Sequence, residues 1–113
     1  MAKDLNFTML LDVYGPLLTE KQAETLEYYY NDDLSLGEIS EEMGITRQGV
    51  MNCIKNSEHR LSELEESMGL VKRFTELKEI LEKLESAVDT AGISNADKLE
   101  QIRQLMSDIR NKL

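Results

Sequence analysis

Apolar residues recur at steps of three and four along most of the chain, which predicts a series of amphipathic helices. The first stretch runs from Leu5 to Tyr14 and ends before Gly15-Pro16, since proline disfavours helical backbone in the residue before it. A second stretch begins at Thr19, where T-x-x-Q is a capping-box pattern, and continues to Tyr30. The pattern therefore predicts helices from the start of the chain.

A short helix, a tight turn and a longer helix are predicted for residues 35–61. Ser35 begins a second capping box, S-x-x-E, and Gly44 is placed to end the short helix in the left-handed conformation. Thr46 can cap the helix that follows. The predicted inner face of that helix consists of Val50, Ile54 and Leu61. Two helices joined by a short glycine-containing turn form a helix-turn-helix unit.

Two apolar stripes in the last third of the chain have the spacing of coiled-coil a and d positions. Ala91-Gly92 separates them, and Ser94 begins a cap-like run with Asp97 as its third helical residue. The stripes predict a hairpin within the chain, a coiled coil with a second chain, or packing of these helices on the head. DNA-binding helix-turn-helix proteins usually act as two-fold symmetric dimers, so we expect a homodimer. The residues predicted to support oligomerisation are Phe74, Leu77, Leu81, Leu84, Val88, Leu99, Ile102, Met106 and Ile109.

The sequence therefore predicts an all-α protein with a helix-turn-helix head over residues 1–61 and a helical arm over residues 62–113, joined as one structural unit. One proline, six glycines and no tryptophan in 113 residues favour helices over a turn-rich β fold. The single cysteine cannot form an internal disulfide, and no apolar run is long enough to span a membrane. The chain start has no apolar segment typical of a signal peptide, so we expect a cytoplasmic protein.

The formal net charge of −9 should repel nucleic acid over most of the surface. Residues 46–61 are the exception, with a net charge of +2 against −8 for residues 1–45 and −3 for residues 62–113. This basic stretch coincides with the predicted recognition helix. Its first residues should reach base edges, and its later bases should suit phosphates. The predicted nucleic-acid-binding residues are Thr46, Arg47, Gln48, Met51, Asn52, Lys55 and Arg60.

Other candidate chemistry has simpler structural interpretations. Successive helical residues point about 100° apart, so the run Tyr28-Tyr29-Tyr30 is predicted to pack in the core and at its rim rather than to form one stacking platform. Cys53 and His59 lack further partners for a zinc set. Cys53 is predicted to be buried or half-buried, and His59 is predicted to be exposed. No glycine-rich phosphate loop or paired nucleophile and base is present, so we predict no enzyme activity and no cofactor or metal.

The chain contains the run Leu18-Thr19-Glu20-Lys21-Gln22, followed by Leu26, Tyr30 and Leu34-Ser35-Leu36-Gly37-Glu38-Ile39. With these residues, the segment 19–61 resembles region 4 of sigma factors, which is also a helix-turn-helix. A wider set of blocks consists of Leu11-Asp12-Val13-Tyr14, Leu17-Leu18-Thr19-Glu20-Lys21-Gln22, Tyr28-Tyr29-Tyr30-Asn31-Asp32-Asp33, Ser35-Leu36-Gly37-Glu38-Ile39 and Arg47-Gln48-Gly49-Val50. Through these blocks, over roughly residues 5–75, the chain more closely resembles the YlxM family of small bacterial helix-turn-helix proteins. Gly49 departs from the alanine usual there, and Met51-Asn52-Cys53 replaces a more polar run.

The YlxM resemblance implies a DNA-binding or regulatory protein without catalytic residues. Genes of the family commonly neighbour those of the signal recognition particle GTPase and its receptor, which implies a role in or near that pathway. One hypothesis is a regulator that binds duplex DNA. A second is an interaction module that docks on the particle's protein, for which an acidic surface would suit a basic partner. Binding to the particle's RNA is a third, although no exposed aromatic platform supports it.

Overall fold

A computed structural model describes residues 6–113. The predicted helix start at Leu5 and the chain start considered for a signal peptide lie outside the described residues. The elements are α1 (Asn6–Tyr14), a 3-10 turn (Gly15–Leu17), α2 (Glu20–Leu26), a π-helical segment (Glu27–Asn31), α3 (Leu36–Met43), α4 (Arg47–Met68), α5 (Leu70–Thr90) and α6 (Ala96–Lys112). No strand occurs in this part of the chain, so the predicted all-α fold is confirmed. None of its helices is long and apolar enough to cross a membrane.

The chain divides into two compact units, of which the first extends to Val71 and the second is Lys72–Leu113. We call the first unit the head and the second the hairpin. The predicted boundary after residue 61 falls inside α4, which continues to Met68. The head extends further because Leu64 and Val71 are buried in its core, with exposures of 6% and 7%.

The core of the head is formed by apolar faces of all its helices. Val50, Ile54 and Leu61 are buried on α4, as predicted. The residues packed with them are Leu10, Leu11, Tyr14, Leu26, Tyr29, Ile39, Leu64 and Val71. Helices α1, α2 and α3 all contact α4, which is therefore the central helix of the head.

Both predicted capping boxes fix the starts of their helices. Thr19 Oγ1 accepts from the Gln22 N–H at 3.2 Å, and the Gln22 side chain accepts from the Thr19 N–H at 3.2 Å. Ser35 and Glu38 form the same reciprocal pair at 3.1 and 3.0 Å. Hydrogen bonds from Ser35 lower the pKa of the Glu38 carboxyl, because they favour its ionised form.

Three local details differ from the sequence prediction. The second helix ends with a π-helical turn, Glu27–Asn31, rather than continuing as regular α-helix to Tyr30. Because glycine lowers helix propensity, the sequence predicts a weakened or bent helix at Gly69. In the structure Gly69 instead ends α4, with φ of 62° in the left-handed region. The cap of α6 is Asn95, whose side chain accepts from the Lys98 N–H at 3.0 Å, so the assignment to Ser94 was wrong by one residue.

A partly buried polar network joins the end of α4 to the start of α5 within the head. The Tyr14 hydroxyl donates to Glu65 Oε1 at 2.5 Å and accepts from the Leu70 N–H at 3.0 Å. The Val71 N–H donates to the same carboxylate oxygen at 3.0 Å. These bonds satisfy backbone donors of the first turn of α5, which otherwise have no intrahelical acceptor. Burial and the Glu65 hydrogen bond raise the pKa of the Tyr14 phenol.

In the hairpin, α5 and α6 are antiparallel. Arg103 pairs with Asp89 at 2.9 Å and Arg110 pairs with Glu85 at 2.6 Å, so later residues of α6 meet earlier residues of α5. The buried apolar side chains of the hairpin are Leu81 and Met106. Of the interpretations left open by the stripes, the hairpin within the chain is therefore present.

Candidate nucleic-acid interface

The turn between α3 and α4 is closed by glycine and by a serine hydroxyl. Gly44 takes φ of 66°, and its N–H donates to the Ser40 carbonyl. The Ile45 N–H donates to the same carbonyl at 3.2 Å, and the Ser40 hydroxyl donates to the Ile45 carbonyl. The sequence predicts only that the small Ser40 lets the second helix cross closely; in the structure its hydroxyl also fixes the turn. Helices α3 and α4 thus form the predicted helix-turn-helix.

The helix cap of α4 positions the first predicted contact residue. Thr46 is exposed, and its Oγ1 accepts from the Gly49 N–H at 3.0 Å. A Cβ at Gly49 would lie 3.2 Å from Thr46 Oγ1, so an alanine would have to displace this cap oxygen by a few tenths of an ångström. Glycine at this position lowers helix propensity but leaves the cap undisturbed.

Polar side chains of α4 form an exposed row beyond the cap. Gln48 Nε2 donates to Asn52 Oδ1 at 3.1 Å, so the two amides are held together one helical turn apart. Lys55 lies a further turn along the same face and is also exposed. We call Gln48, Asn52 and Lys55 the polar row. Amides of this kind can pair with adenine edges, and an ammonium group can contact phosphate.

Arg47 does not project straight from the start of α4. Its guanidinium lies against Gly37 of α3, where a built Cβ would be 2.9 Å from Nη2 and 3.2 Å from Cζ. Glycine at position 37 leaves room for this side chain. Arg47 remains an exposed residue at the start of α4.

The basic stretch is partly neutralised further along α4. Arg60 Nη1 lies 3.5 Å from Glu63 Oε2, and His59 Nε2 lies 2.6 Å from Glu63 Oε1. Arg60 is therefore near a carboxylate that would compete with phosphate. Glu58, the acid within residues 46–61, accepts a hydrogen bond from the Tyr30 hydroxyl of the π-helical segment.

Met51 is half-buried and lies in a groove instead of standing with the polar row. The groove has a volume of about 370 Å³ and is open to solvent. Its walls are Tyr29, Asp33, Leu34, Ser35, Leu36, Glu38 and Met51. Apart from Met51, none of these was predicted to contact a ligand. The residues come from the π-helical segment, the following loop, α3 and α4, and no spacing in the sequence shows that these elements converge.

The remaining predicted residues are placed as follows. Tyr29 is buried and Tyr28 and Tyr30 are half-buried, so the tyrosine run packs in the core and at its rim, as predicted. Cys53 is half-buried and His59 is exposed, also as predicted. The apolar residues predicted to support oligomerisation fall into three groups by solvent exposure. Leu81 and Met106 are buried; Phe74, Val88, Leu99 and Ile102 are half-buried; Leu77, Leu84 and Ile109 are exposed.

Comparison with known proteins identifies close relatives over most of the chain. Residues 1–105 match the model of the UPF0122 family, described as "Putative helix-turn-helix protein, YlxM / p13 like". A UPF0122 protein of Thermoanaerobacter sp. (strain X514) is 40% identical over 109 residues, which cover 96% of this chain and 92% of the relative. UPF0122 proteins of Halalkalibacterium halodurans and Caldanaerobacter subterraneus are 46% and 47% identical, over 83% and 78% of this chain and 86% and 76% of theirs.

Proposed function

This chain belongs to the YlxM/p13-like helix-turn-helix family, and from that premise we propose that it is a regulatory protein that binds duplex DNA through the start of α4. The observation that carries the proposal is the polar row. Gln48 and Asn52 are exposed, joined by a hydrogen bond and followed by Lys55 on the same face. In helix-turn-helix proteins, the first turns of the second helix enter the major groove, where such side chains reach base edges.

Each predicted residue has a separate role in this proposal. Arg47, Gln48 and Asn52 contact bases, whereas Lys55 and Arg60 contact phosphates. Thr46 caps α4, and its hydroxyl hydrogen can still be donated to a phosphate. Met51 contributes apolar contact at the edge of the same face. The acidic remainder of the head keeps affinity for unrelated sequences low.

A single head carries few bases, so we propose that two chains bind together. The exposed apolar side chains of the hairpin, Leu77, Leu84 and Ile109, are the surface that a second chain would cover. Two heads would double the phosphate contacts and steepen the dependence of affinity on salt. The homodimer predicted from the stripes is therefore part of the proposal.

Fluorescence anisotropy with a random-sequence duplex pool tests the proposal at low and physiological salt. Arg47→Ala should remove sequence preference, and Lys55→Ala should weaken binding to all sequences alike. Lys78→Ala, an exposed position of the hairpin, is the matched control and should leave binding unchanged. Absence of saturable duplex binding at micromolar protein, or equal effects of all three variants, would contradict the proposal.

The acidic surface of the head favours a second candidate, a module that docks on the signal recognition particle. Asp32, Asp33, Glu38, Glu41 and Glu42 are all exposed around the loop before α3 and along α3. They would attract a basic partner and repel phosphate. The same anisotropy assay with the particle's protein, and separately with its RNA, distinguishes this candidate, which predicts binding to that protein with no affinity for duplex DNA.

A further inference from the structure

The groove beside the recognition helix combines an apolar floor with an acidic rim. Leu34, Leu36 and Met51 are half-buried and Tyr29 is 7% exposed, so their apolar atoms remain within reach of a partner. Asp33 and Glu38 lie at the rim and are exposed. Its volume of about 370 Å³ is within the range of about 300–1,000 Å³ typical of ligand pockets.

Two features define the positions of the two rim acids. Glu38 is the third residue of the Ser35 capping box, and its hydrogen bond from the Ser35 N–H holds the carboxylate at the start of α3. Asp33 has a φ of 54°, a left-handed conformation that aspartate and asparagine tolerate better than most residues. The capping box therefore holds the Glu38 carboxylate, and the left-handed conformation sets the backbone at Asp33.

The negative charge of the rim indicates which kind of molecule the groove would bind. A phosphate backbone would be repelled by Asp33 and Glu38. The dimer proposed above places a second copy of this chain on the hairpin, and residues 1–45 of that copy, with a net charge of −8, would be repelled by the rim of the groove. A cationic group, by contrast, gains from the rim while an adjoining apolar side chain fills the floor. Methionine adapts to apolar side chains of different shapes, which suits a protein ligand.

We propose that this groove binds a short segment of another protein in which a lysine or arginine adjoins a large apolar residue. The apolar side chain would lie on Met51, Leu34 and Leu36, and the cation would lie between Asp33 and Glu38. The inference deepens the second candidate function, docking on a partner protein, and does not depend on duplex binding.

The position of Met51 gives the proposal a consequence for the recognition helix. Met51 lies about 40° around α4 from both Arg47 and Lys55, because residues four apart are separated by about 400° of helical rotation. A segment seated on Met51 would therefore cover part of the face proposed to read DNA. Binding of the segment and of duplex DNA would exclude each other.

The test uses the full chain and a phage-displayed library of short random peptides. Enriched peptides should carry Lys or Arg beside Leu, Met or Phe, and in NMR titrations they should shift the amide signals of the groove residues. In Asp33→Asn/Glu38→Gln, their affinity should fall about three- to tenfold, the range expected for two partly exposed charge contacts. Both substitutions preserve the local backbone, because Asn tolerates the left-handed conformation and Gln retains the capping box.

Glu79→Gln/Glu82→Gln is the matched control, since it removes the same charge from exposed positions of α5 outside the groove. Met51→Gln should reduce affinity about tenfold through loss of apolar contact. Failure to enrich any peptide, or an equal loss in the two double variants, would overturn the proposal. A protein that binds peptides in the groove but no duplex would refute the duplex proposal alone. Peptides that bind alongside duplex would refute mutual exclusion.

Discussion

The head and the hairpin are both built from amphipathic helices, yet they bury their apolar faces to different extents. In the head, α1, α2 and α3 pack around α4, whose Ile54 and Leu61 are 1% and 0% exposed. In the hairpin, the buried apolar side chains are Leu81 and Met106, while Ile80 and Leu105 are 60% and 58% exposed. A helix with neighbours on several sides can bury a whole apolar face, whereas a pair of helices covers only the seam between them.

Removing a core side chain from the head should have the largest effect on stability. Leu61→Ala deletes atoms enclosed on all sides, and we expect it to destabilise the head by about 2–5 kcal/mol, because the surrounding helices can only partly close the cavity. Urea unfolding followed by circular dichroism measures the total change. Amide hydrogen exchange measured by NMR would assign it to the head.

Leu81→Ala is the matched change in the hairpin, because the same side chain is removed from a position that is 4% exposed. We expect a smaller loss, about 1–2 kcal/mol, since the surrounding apolar groups are already partly hydrated and can relax into the space. The loss should be confined to the amides of α5 and α6. An equal loss for the two variants would contradict the contrast between head and hairpin.

The polar network around Tyr14 should make an intermediate contribution, again in the head. Tyr14→Phe leaves the Leu70 N–H without the hydroxyl that it reaches at 3.0 Å, and it removes the donor to Glu65. We expect a loss of about 1–3 kcal/mol at neutral pH, the usual cost of an unsatisfied buried group. Urea unfolding at neutral pH provides the measurement, and a variant as stable as the native chain would show that the network is not needed.

The same residue predicts a dependence on alkaline pH. The folded state raises the Tyr14 pKa above its ordinary value of 10.0, so it favours the neutral phenol. That stability is fully present below pH 10.0 and is lost as the pH rises through the folded-state pKa. Tyr14→Phe should remove the part of the stability loss at alkaline pH that comes from ionisation of Tyr14. Tyr28→Phe, which alters a more exposed tyrosine hydrogen-bonded to Glu24, is the control and should change the profile less.

The contrast also explains which features of the fold were predictable from the sequence. The caps at Thr19 and Ser35 were predictable because they depend on side chains three residues apart. The buried face of α4 was predictable from the helical spacing of its apolar residues. The π-helical turn at Glu27–Asn31 was not, because its residues are compatible with regular helix and tertiary packing selects the wider turn. Periodicity also marked Leu77 and Leu84 as apolar-face residues without showing what, if anything, covers them.

For the candidate interface too, the sequence predicts only the features that depend on a single helix. The exposed positions of Gln48, Asn52 and Lys55 follow from helical geometry once α4 is assigned. The contact of Arg47 with Gly37 and the groove beside Met51 depend on how α3 crosses α4. A crossing angle is set by side-chain packing across both helices and has no signature in the spacing of one of them.

The smallest effect is expected for the ion pairs of the hairpin. Arg110→Gln breaks the pair with Glu85, whose side chains are 45% and 34% exposed, and we expect a loss below about 1 kcal/mol that shrinks as salt is added. Lys112→Gln is the control, since it also removes a base from the last turn of α6 and so accounts for the helix dipole. Urea unfolding at low and high salt measures both variants.

This small value follows from the solvent around the pair. Water screens both charges before and after folding, so their attraction is nearly balanced by the cost of ordering two long side chains. Stability of the hairpin would then come mainly from Leu81, Met106 and whatever covers the exposed apolar residues. A loss of several kcal/mol in Arg110→Gln, with none in Lys112→Gln, would instead mean that ion pairs hold α5 and α6 together. The hairpin would then differ from the head in the kind of interaction that stabilises it, and not only in the extent of its buried surface.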